Sequence, residues 1–233
     1  MNMQLFKLRK FGYINLKKTL TVFLSLKCGY SSFEFLVKNG KALKIKLVDP
    51  KAMNIFIVRD PYKRIESFYK DKILKCNVQN LQFNQEVLKD YFGLQRLADK
   101  DIGFEEFVLS LQKGLLERFY VGETMSADML VYDQHIFPQY YFYPNGINRI
   151  VRLEDDFSMM SIFKEFDSDL IKRNVSPNGN LFWSEEMKKV IMKIFAEDFE
   201  LYRSAEGAEV SRSKATRDPY HEIPRLKLGS GST

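Results

Sequence analysis

The chain has 233 residues, of which 45% are hydrophobic and 14% aromatic, and it carries a formal charge of +6. This composition excludes an intrinsically disordered protein, and the length suits one domain with or without a tail. The charge excess suits an anionic ligand. No nucleic-acid partner is predicted, because the basic residues are scattered among acidic ones without an aromatic-basic binding motif.

The cysteine content, the histidine content and the hydropathy limit the classes of protein to which the chain can belong. Cys28 and Cys76 are the only cysteines, which favours a reducing compartment over a disulfide framework, and no metal site is expected. The longest apolar run near the start has the length of a strand and is too short to span a bilayer. We therefore predict a soluble, cytoplasmic protein without a membrane span. A piece of a longer protein of the secretory pathway is the alternative.

The first part of the chain predicts buried strands that alternate with helices. Strands are expected at residues 20–26, 44–48 and 53–58, and a helix that ends at Gly40 follows the first of them. Nearly continuous apolar strands separated by helices are typical of an α/β protein with a mainly parallel sheet that helices cover on both faces.

The rest of the chain adds mostly helices. Asp60-Pro61 predicts a helix start, because an N-cap residue precedes proline at the first helical position. The patterns predict helices at 61–75, within 87–116, at 155–166 and at 184–202, and a short strand at 148–153. Residues 1–203 are predicted to form the domain. Residues 204–233 are predicted to be a tail that is disordered or was appended to the protein.

The segment KCGYSS, residues 27–32, follows a buried strand and opens a helix. Backbone N–H groups at a helix N-terminus, a glycine, two hydroxyls and a lysine together favour an anion site. The Gly-Lys-Ser/Thr sequence of nucleotide-triphosphate loops is missing. An ordinary strand-to-helix turn with a surface lysine is the alternative.

Arg59 ends the strand at 53–58 in the same way. Parallel strands end at the same edge of a sheet, where open α/β sheets bind ligands, so Lys27 and Arg59 should project toward one crevice. Two anion sites at neighbouring strand exits suit a ligand with two separate phosphate-like groups. A salt bridge from Arg59 to Asp60 or Glu66, with Ser67 facing solvent, is the alternative. The second RDPY, at 217–220, lacks a preceding strand and is interpreted as chance.

These segments resemble the sulfotransferases that use 3′-phosphoadenosine 5′-phosphosulfate (PAPS), particularly their carbohydrate branch, which includes Golgi-type and bacterial enzymes. KCGYSS resembles the family's 5′-phosphosulfate loop, and RDPYKRIESFY resembles its 3′-phosphate motif. DQHIFPQ followed by NRIVRLEDDF, and KRNVSP followed by a helix, resemble later segments of the family in the expected order.

The resemblance implies a P-loop-like three-layer sandwich with a central mainly parallel sheet flanked by helices. It also implies sulfuryl transfer from PAPS, without a metal, to a hydroxyl of a carbohydrate or glycoconjugate. Lys27 would contact the oxygen that bridges phosphate and sulfate. The residues expected to bind the donor are Lys27, Cys28, Gly29, Tyr30, Ser31, Ser32, Arg59, Ser67 and Arg173, with Lys172 beside the last.

The catalytic base stays open between two residues. His135 is the leading candidate, because its ordinary pKa suits proton abstraction near neutrality, but a structural or substrate-binding role is also possible. Glu34, just after the loop, is the second candidate. Gln139 is expected to orient the substrate or His135, whereas Glu154 and Asp155 are interpreted as a helix N-terminus.

Two other functions remain alternatives to the sulfotransferase. A kinase or another P-loop-like nucleotide enzyme would need the missing Gly-Lys-Ser/Thr loop and magnesium carboxylates. A non-catalytic protein of the same fold that binds an anionic glycan would not need Lys27, Arg59 and Ser67 together. The sequence does not indicate the oligomeric state.

Overall fold

A computed structural model describes residues 11–74, 102–112, 135–170 and 181–205. Several predictions fall outside these ranges. They concern Arg173 and Lys172, the second RDPY, the tail from residue 206 onward, and the helical patterns at 87–101 and 113–116. Within the described ranges no helix is both long enough and apolar enough to cross a lipid bilayer.

Five strands form one mixed sheet. Its order is β3-β1-β2-β4-β5. The strands are β1 (Phe11–Asn15), β2 (Leu20–Leu24), β3 (Ala42–Ile45), β4 (Met53–Val58) and β5 (Arg149–Arg152). β2 pairs with β4 and β4 with β5 in parallel, whereas β1 is antiparallel to both β2 and β3. All strands except β1 therefore run in the same direction, as the sequence predicts for a mainly parallel sheet.

β1 was not predicted, and it separates two of the predicted strands. It forms a hairpin with β2, whose turn is held by the Asn15 side chain, which accepts hydrogen bonds from the Thr19 and Leu20 amides at 2.9 and 3.2 Å. β3 pairs with β1 instead of β2. β2 pairs with β4 in parallel from Leu20 to Leu24, so both strands end at the same edge of the sheet.

The helices are α1 (Tyr30–Lys38), α2 (Pro61–Phe68), α3 (Phe104–Leu111), α4 (Asp156–Glu165), α5 (Glu185–Ile194) and α6 (Ala196–Ser204). Asp60 caps α2 as predicted, since its side chain accepts a hydrogen bond from the Lys63 amide at 3.0 Å. Two helix predictions were wrong in detail. α2 continues as a π-helical turn at Tyr69–Leu74, and the predicted last helix is interrupted at Phe195.

The side chains of the strands alternate between two hydrophobic clusters, one on each face of the sheet. Phe23 and Phe56 point into the cluster that α2, α3 and α5 cover, whereas Val22 and Ile57 point into the cluster that α1 and α4 cover. The result is an α/β sandwich of helices, sheet and helices. Apolar burial on both faces explains why the central strands are almost continuously hydrophobic.

Gly12 provides a test of this packing. A Cβ on Gly12 would lie 2.6 Å from Cε1 of Phe23 and 2.9 Å from Cγ1 of Ile45. Because Phe23 is buried in the core and cannot move aside freely, Gly12→Ala should lower the free energy of unfolding by about 1–3 kcal/mol. Gly103→Ala is the control, since nothing lies within 4 Å of its added Cβ. Chemical denaturation should show a clearly larger loss for Gly12→Ala; equal losses would contradict this packing.

Candidate active site

The loop after β2 turns tightly toward the edge of the sheet. The Cys28 amide donates to the Ser25 carbonyl at 3.2 Å, and Lys27 and Gly29 both have positive φ angles, 69° and 87°. A lysine in this conformation carries backbone strain, a feature that is concentrated at functional sites. Gly29 is the N-cap of α1 and supplies no capping side chain. The loop therefore directs the N-terminus of α1 to the strand exit.

Arg59, at the exit of β4, contacts this loop directly. Its Nη1 donates a hydrogen bond to the Lys27 carbonyl at 3.1 Å. The convergence of the two strand exits, which the sequence predicted from parallel strands, is therefore present. Ser67 lies on α2 beyond Arg59 and is buried.

Gln139 joins both exits from the interior of the protein. Its Oε1 accepts from the Arg59 amide at 2.8 Å and from the Cys28 thiol at 2.9 Å, while its Nε2 donates to the Arg59 carbonyl at 2.8 Å. The residue is 0% exposed. In this arrangement Gln139 has no surface for the substrate contact predicted from the sequence, and what it orients is the main chain of Arg59.

Cys28 contributes its thiol to this connection. Burial raises the pKa of the thiol to about 11, and the nearby Arg64 guanidinium opposes the rise. The thiol therefore stays protonated at neutral pH and can donate to Gln139. The Cys28 side chain thus faces the interior and not the crevice.

A buried arginine, Arg64, links the same loop to the segment at 135–139. It is 1% exposed and lies on α2. Its Nε donates to the Leu26 carbonyl at 3.3 Å, and its Nη2 donates to the carbonyls of His135, at 3.0 Å, and Phe137. One guanidinium therefore fixes the β2 exit against the backbone of the candidate base.

Asp198, on α6, is the counter-ion of Arg64. It is 0% exposed, and its Oδ2 lies 4.0 Å from Nη1 of Arg64. It also accepts hydrogen bonds from the amides of Gln139 and Tyr140 at 2.8 and 2.9 Å. Burial raises the pKa of Asp198, and the Arg64 charge and the two amides act in the opposite direction. This carboxylate caps the short 3-10 helix Gln139–Phe142 from a distant part of the chain.

Lys27 and Asp71 form an ion pair at the mouth of the loop. The side chain of Lys27 is 11% exposed and that of Asp71 is 42% exposed. Asp71 belongs to the π-helical turn after α2. The loop lysine therefore reaches the helical turn after α2 and has an anionic partner there.

Glu154 approaches Arg59 from the exit of β5. Its Oε1 lies 3.8 Å from Nε of Arg59 and accepts from the Asp60 amide at 3.3 Å. Burial raises the pKa of Glu154, although its backbone hydrogen bonds and Arg59 lower it in part. The helix N-terminus predicted for Glu154 and Asp155 is formed by Asp155 alone, which caps α4 through the Ser158 amide at 3.1 Å.

Glu34 lies on α1, and its carboxylate is held by other side chains. Its carboxylate accepts from the Tyr13 hydroxyl and pairs with Lys44 Nζ, both at 2.8 Å. Burial by itself would raise the pKa of Glu34, but the hydrogen bonds from Lys44 and Tyr13 outweigh burial and lower it. The structure thus ties this predicted base to β1 and β3, and a lowered pKa weakens it as a base.

The other predicted site residues divide into three groups. Tyr30, Ser31 and Ser32 form the first turn of α1, where the Ser32 amide donates to the Gly29 carbonyl at 3.0 Å. His135 is half-buried, and its main chain is held by Arg64. Arg173 lies outside the described residues. No group of three or more His, Cys, Asp or Glu in the described part of the chain could hold a metal ion.

Sequence reasoning missed Arg64, Asp198 and Asp71. For the first two, helical spacing contained a signal. Arg64 lies four residues before Phe68, and Asp198 lies four after Ile194, so both charges lie on apolar helix faces. Charged residues on such faces are rarely buried unless they are paired. Asp71 has no comparable signal, because only the tertiary structure brings it to Lys27.

Removal of Arg64 should destabilise the protein strongly. Arg64→Met leaves Asp198 as an uncompensated buried charge, and the expected loss in the free energy of unfolding is about 3–5 kcal/mol. Arg203→Met is the matched control, because Arg203 is exposed and, among the described residues, its ion pair is with Glu200 on its own helix. We expect it to change stability by less than about 0.5 kcal/mol. Similar denaturation curves for the two variants would refute the role of Arg64.

Glu154 and Asp155 should affect the pH dependence of stability with opposite signs. The pKa of Glu154 is raised in the folded protein, so the folded protein binds the proton of its carboxyl group more tightly than the unfolded chain does. Ionisation of Glu154 therefore lowers stability as pH rises through that pKa. The pKa of Asp155 is lowered, chiefly by the Ser158 hydroxyl, so its contribution is present above its ordinary pKa and lost as pH falls.

The measurement is the free energy of unfolding at several pH values for wild type, Glu154→Gln and Asp155→Asn. From acid toward neutral pH, the stability of wild type relative to Glu154→Gln should fall, whereas its stability relative to Asp155→Asn should rise. Slopes of the same sign for these neighbouring residues would contradict the arrangement at the β5 exit.

Comparison with known proteins identifies one family. The model of the sulfotransferase family matches residues 31–203, a range that includes Arg59, Ser67 and Gln139 and leaves out Lys27 and the next three residues. No curated protein and no solved structure matches the chain significantly. Because the family match spans well over half of the sequence, the chain belongs to the sulfotransferase family.

Proposed function

We propose that this protein transfers a sulfuryl group from PAPS to a hydroxyl of a carbohydrate or glycoconjugate. The observation that carries the proposal is the meeting of two cationic strand exits, where Arg59 donates to the Lys27 carbonyl at 3.1 Å. PAPS has two anionic ends, and the two exits offer a cation to each. Membership of the sulfotransferase family supports sulfuryl transfer, and resemblance to the carbohydrate branch supports the acceptor class and a P-loop-like fold.

The residues at the β4 exit fit an anionic ligand. Nε of Arg59 is buried, and among the described residues it has no hydrogen-bond partner. Oε1 of Glu154 lies 3.8 Å away, close enough for an ion pair but too far for a hydrogen bond. A buried guanidinium N–H without a hydrogen bond is costly, and a phosphate oxygen would supply one. With Ser67 on the following helix, Arg59 is our choice for the 3′-phosphate.

The residues at the β2 exit fit the other end of the donor. α1 begins at Gly29 without a capping side chain and without an acidic residue in its first turn. Its N-terminus therefore keeps a positive potential that favours an anion. Ser31 and Ser32 add hydroxyls beside it. We assign the 5′-phosphate to this turn, and the inward-facing Cys28 contributes through its main chain and by fixing Gln139.

Lys27 is the residue that we place nearest the chemistry. When bound, PAPS would supply the sulfuryl group and a phosphate leaving group. An ammonium at this position stabilises negative charge that develops during transfer, and stabilisation by a preorganised charge is commonly the largest catalytic term. The positive φ of Lys27 and the hydrogen bond from Arg59 preorganise its main chain.

His135 is our candidate for the base that takes the proton of the acceptor hydroxyl. Arg64 holds its main chain against the Leu26 carbonyl, next to the loop that carries Lys27. Glu34 is less suited, because its carboxylate is engaged by Tyr13 and Lys44. Gln139 acts as a positioning residue for Arg59. Arg173 remains a predicted donor contact that lies outside the described residues.

The test is calorimetric titration with 3′-phosphoadenosine 5′-phosphate, the desulfated product, because it needs no knowledge of the acceptor. Wild type should bind without magnesium, and Arg59→Ala should weaken binding at least about 30-fold, as expected for loss of a partly buried charge contact. Arg149→Ala is the matched control, because Arg149 is exposed at the opposite end of the parallel strands. It should bind like wild type.

The outcomes separate the alternatives. Absence of binding by folded wild type would refute the sulfotransferase function and leave a fold that binds another anion. Binding that needs magnesium would favour a kinase. Equal losses in Arg59→Ala and Arg149→Ala would indicate a general charge effect in place of a site at Arg59.

A further inference from the structure

We propose that Asp71 is the counter-ion that the donor displaces from Lys27. The Asp71 carboxylate pairs with the Lys27 ammonium, and in this proposal the anionic 5′ end of the donor replaces the carboxylate there on binding. This inference rests on the function proposed above and adds a residue that neither the motifs nor the family match identifies.

The ion pair itself is the first support. Nζ of Lys27 donates to Oδ2 of Asp71, across a sequence separation of 44 residues. The Lys27 side chain is only 11% exposed. A charge so far removed from water is costly unless an anion accompanies it. The ammonium therefore needs an anion whether or not the donor is bound, and Asp71 meets that need when the donor is absent.

The second support is the difference in freedom between main chain and side chain at Lys27. Its φ of 69° and the hydrogen bond from Arg59 to its carbonyl hold the main chain in place. The four-carbon side chain has several rotatable bonds and can change rotamer without disturbing either feature. Exchange of one anion for another thus needs only side-chain rearrangement at Lys27 and Asp71, with the loop main chain in place.

The third support is the element that carries Asp71. The π-helical turn Tyr69–Leu74 is anchored by two buried residues, Tyr69 and Ile73, and the Tyr69 hydroxyl donates to the Ile102 carbonyl at 2.6 Å. Asp71 lies between these anchors and keeps 42% of its side chain exposed. π-helical turns are frequent at functional sites. The anchored turn presents the carboxylate to the Lys27 ammonium, about one helical turn beyond Ser67.

The exchange has a direct consequence for affinity. Donor binding must break the ion pair between Lys27 and Asp71, and this cost offsets part of the attraction between Lys27 and the donor. Asp71 therefore weakens donor binding. It also competes for Lys27 when the desulfated product leaves. Loss of the carboxylate should therefore tighten product binding, whereas a purely structural ion pair would loosen it when broken.

Titration with 3′-phosphoadenosine 5′-phosphate tests this inference. Asp71→Asn keeps the size of the side chain and should bind the nucleotide about tenfold tighter than wild type, the scale of one lost ionic competitor. Asp167→Asn is the charge-matched control. Asp167 is 72% exposed, pairs only loosely with Lys17 at 3.6 Å, and has a positive φ of 53° that asparagine accepts. It should bind like wild type.

A double-mutant cycle connects the effect to Lys27. In a Lys27→Met background, Asp71→Asn should tighten binding less than about threefold, since only screened repulsion between the carboxylate and the nucleotide remains. A gain of the same size in both backgrounds would overturn the exchange. Thermal unfolding checks that each variant is folded, and Asp71→Ser is a second variant with the same expected gain.

The outcomes distinguish this inference from the proposed function. If wild type binds the nucleotide but Asp71→Asn binds no tighter than Asp167→Asn, the exchange is refuted and the proposed function stands. Weaker binding by Asp71→Asn would identify Asp71 as a support for Lys27 instead of a competitor. If wild type does not bind at all, the proposed function fails and the exchange fails with it.

Discussion

The buried pair of Arg64 and Asp198 is the interaction on which the rest of the site depends. Both side chains are almost fully removed from water, so each charge is tolerable only with the other and with nearby backbone dipoles. Arg64 meets this need by donating to carbonyls of the β2 exit and of residues 135–137. Asp198 meets it by accepting from the amides that begin the 3-10 helix. The hydrogen bonds that compensate these two buried charges therefore also hold the β2 exit and residues 135–140 in place.

The Arg64–Asp198 pair explains how the loops at the exits of β2 and β4 keep fixed positions relative to each other. The segment placed by Asp198 carries Gln139, whose amide group fixes the main chain of Arg59 and accepts from the Cys28 thiol. The side chains of Lys27 and Arg59 then project from a rigid base. In the proposed reaction this rigidity preorganises positive charge, and the exchangeable contact lies outside it, between Lys27 and Asp71.

Much of the fold could be predicted, because its signals are local. The apolar run at β4 and the Asp60-Pro61 start of α2 need no distant partner to be recognised, and both appear where predicted. β1 was missed, since FGYIN is short and contains a glycine that is explained only by its tertiary contacts with Phe23 and Ile45. The single helix predicted at 184–202 is interrupted at Phe195, where φ and ψ of −113° and 33° leave the helical range although the hydrophobic spacing continues.

The sequence by itself determined that two cationic strand exits exist and that they meet at one edge. Strands and helix starts follow from local pattern, and a helical crossover between two strands favours parallel pairing. Only the tertiary structure decided what each polar side chain contacts. It directs Gln139 inward, engages Glu34 with Tyr13 and Lys44, and brings Asp71 to Lys27. The physical reason is that a hydrogen bond or ion pair depends on distances of a few ångströms between residues far apart in the chain, and local periodicity carries no information about those distances.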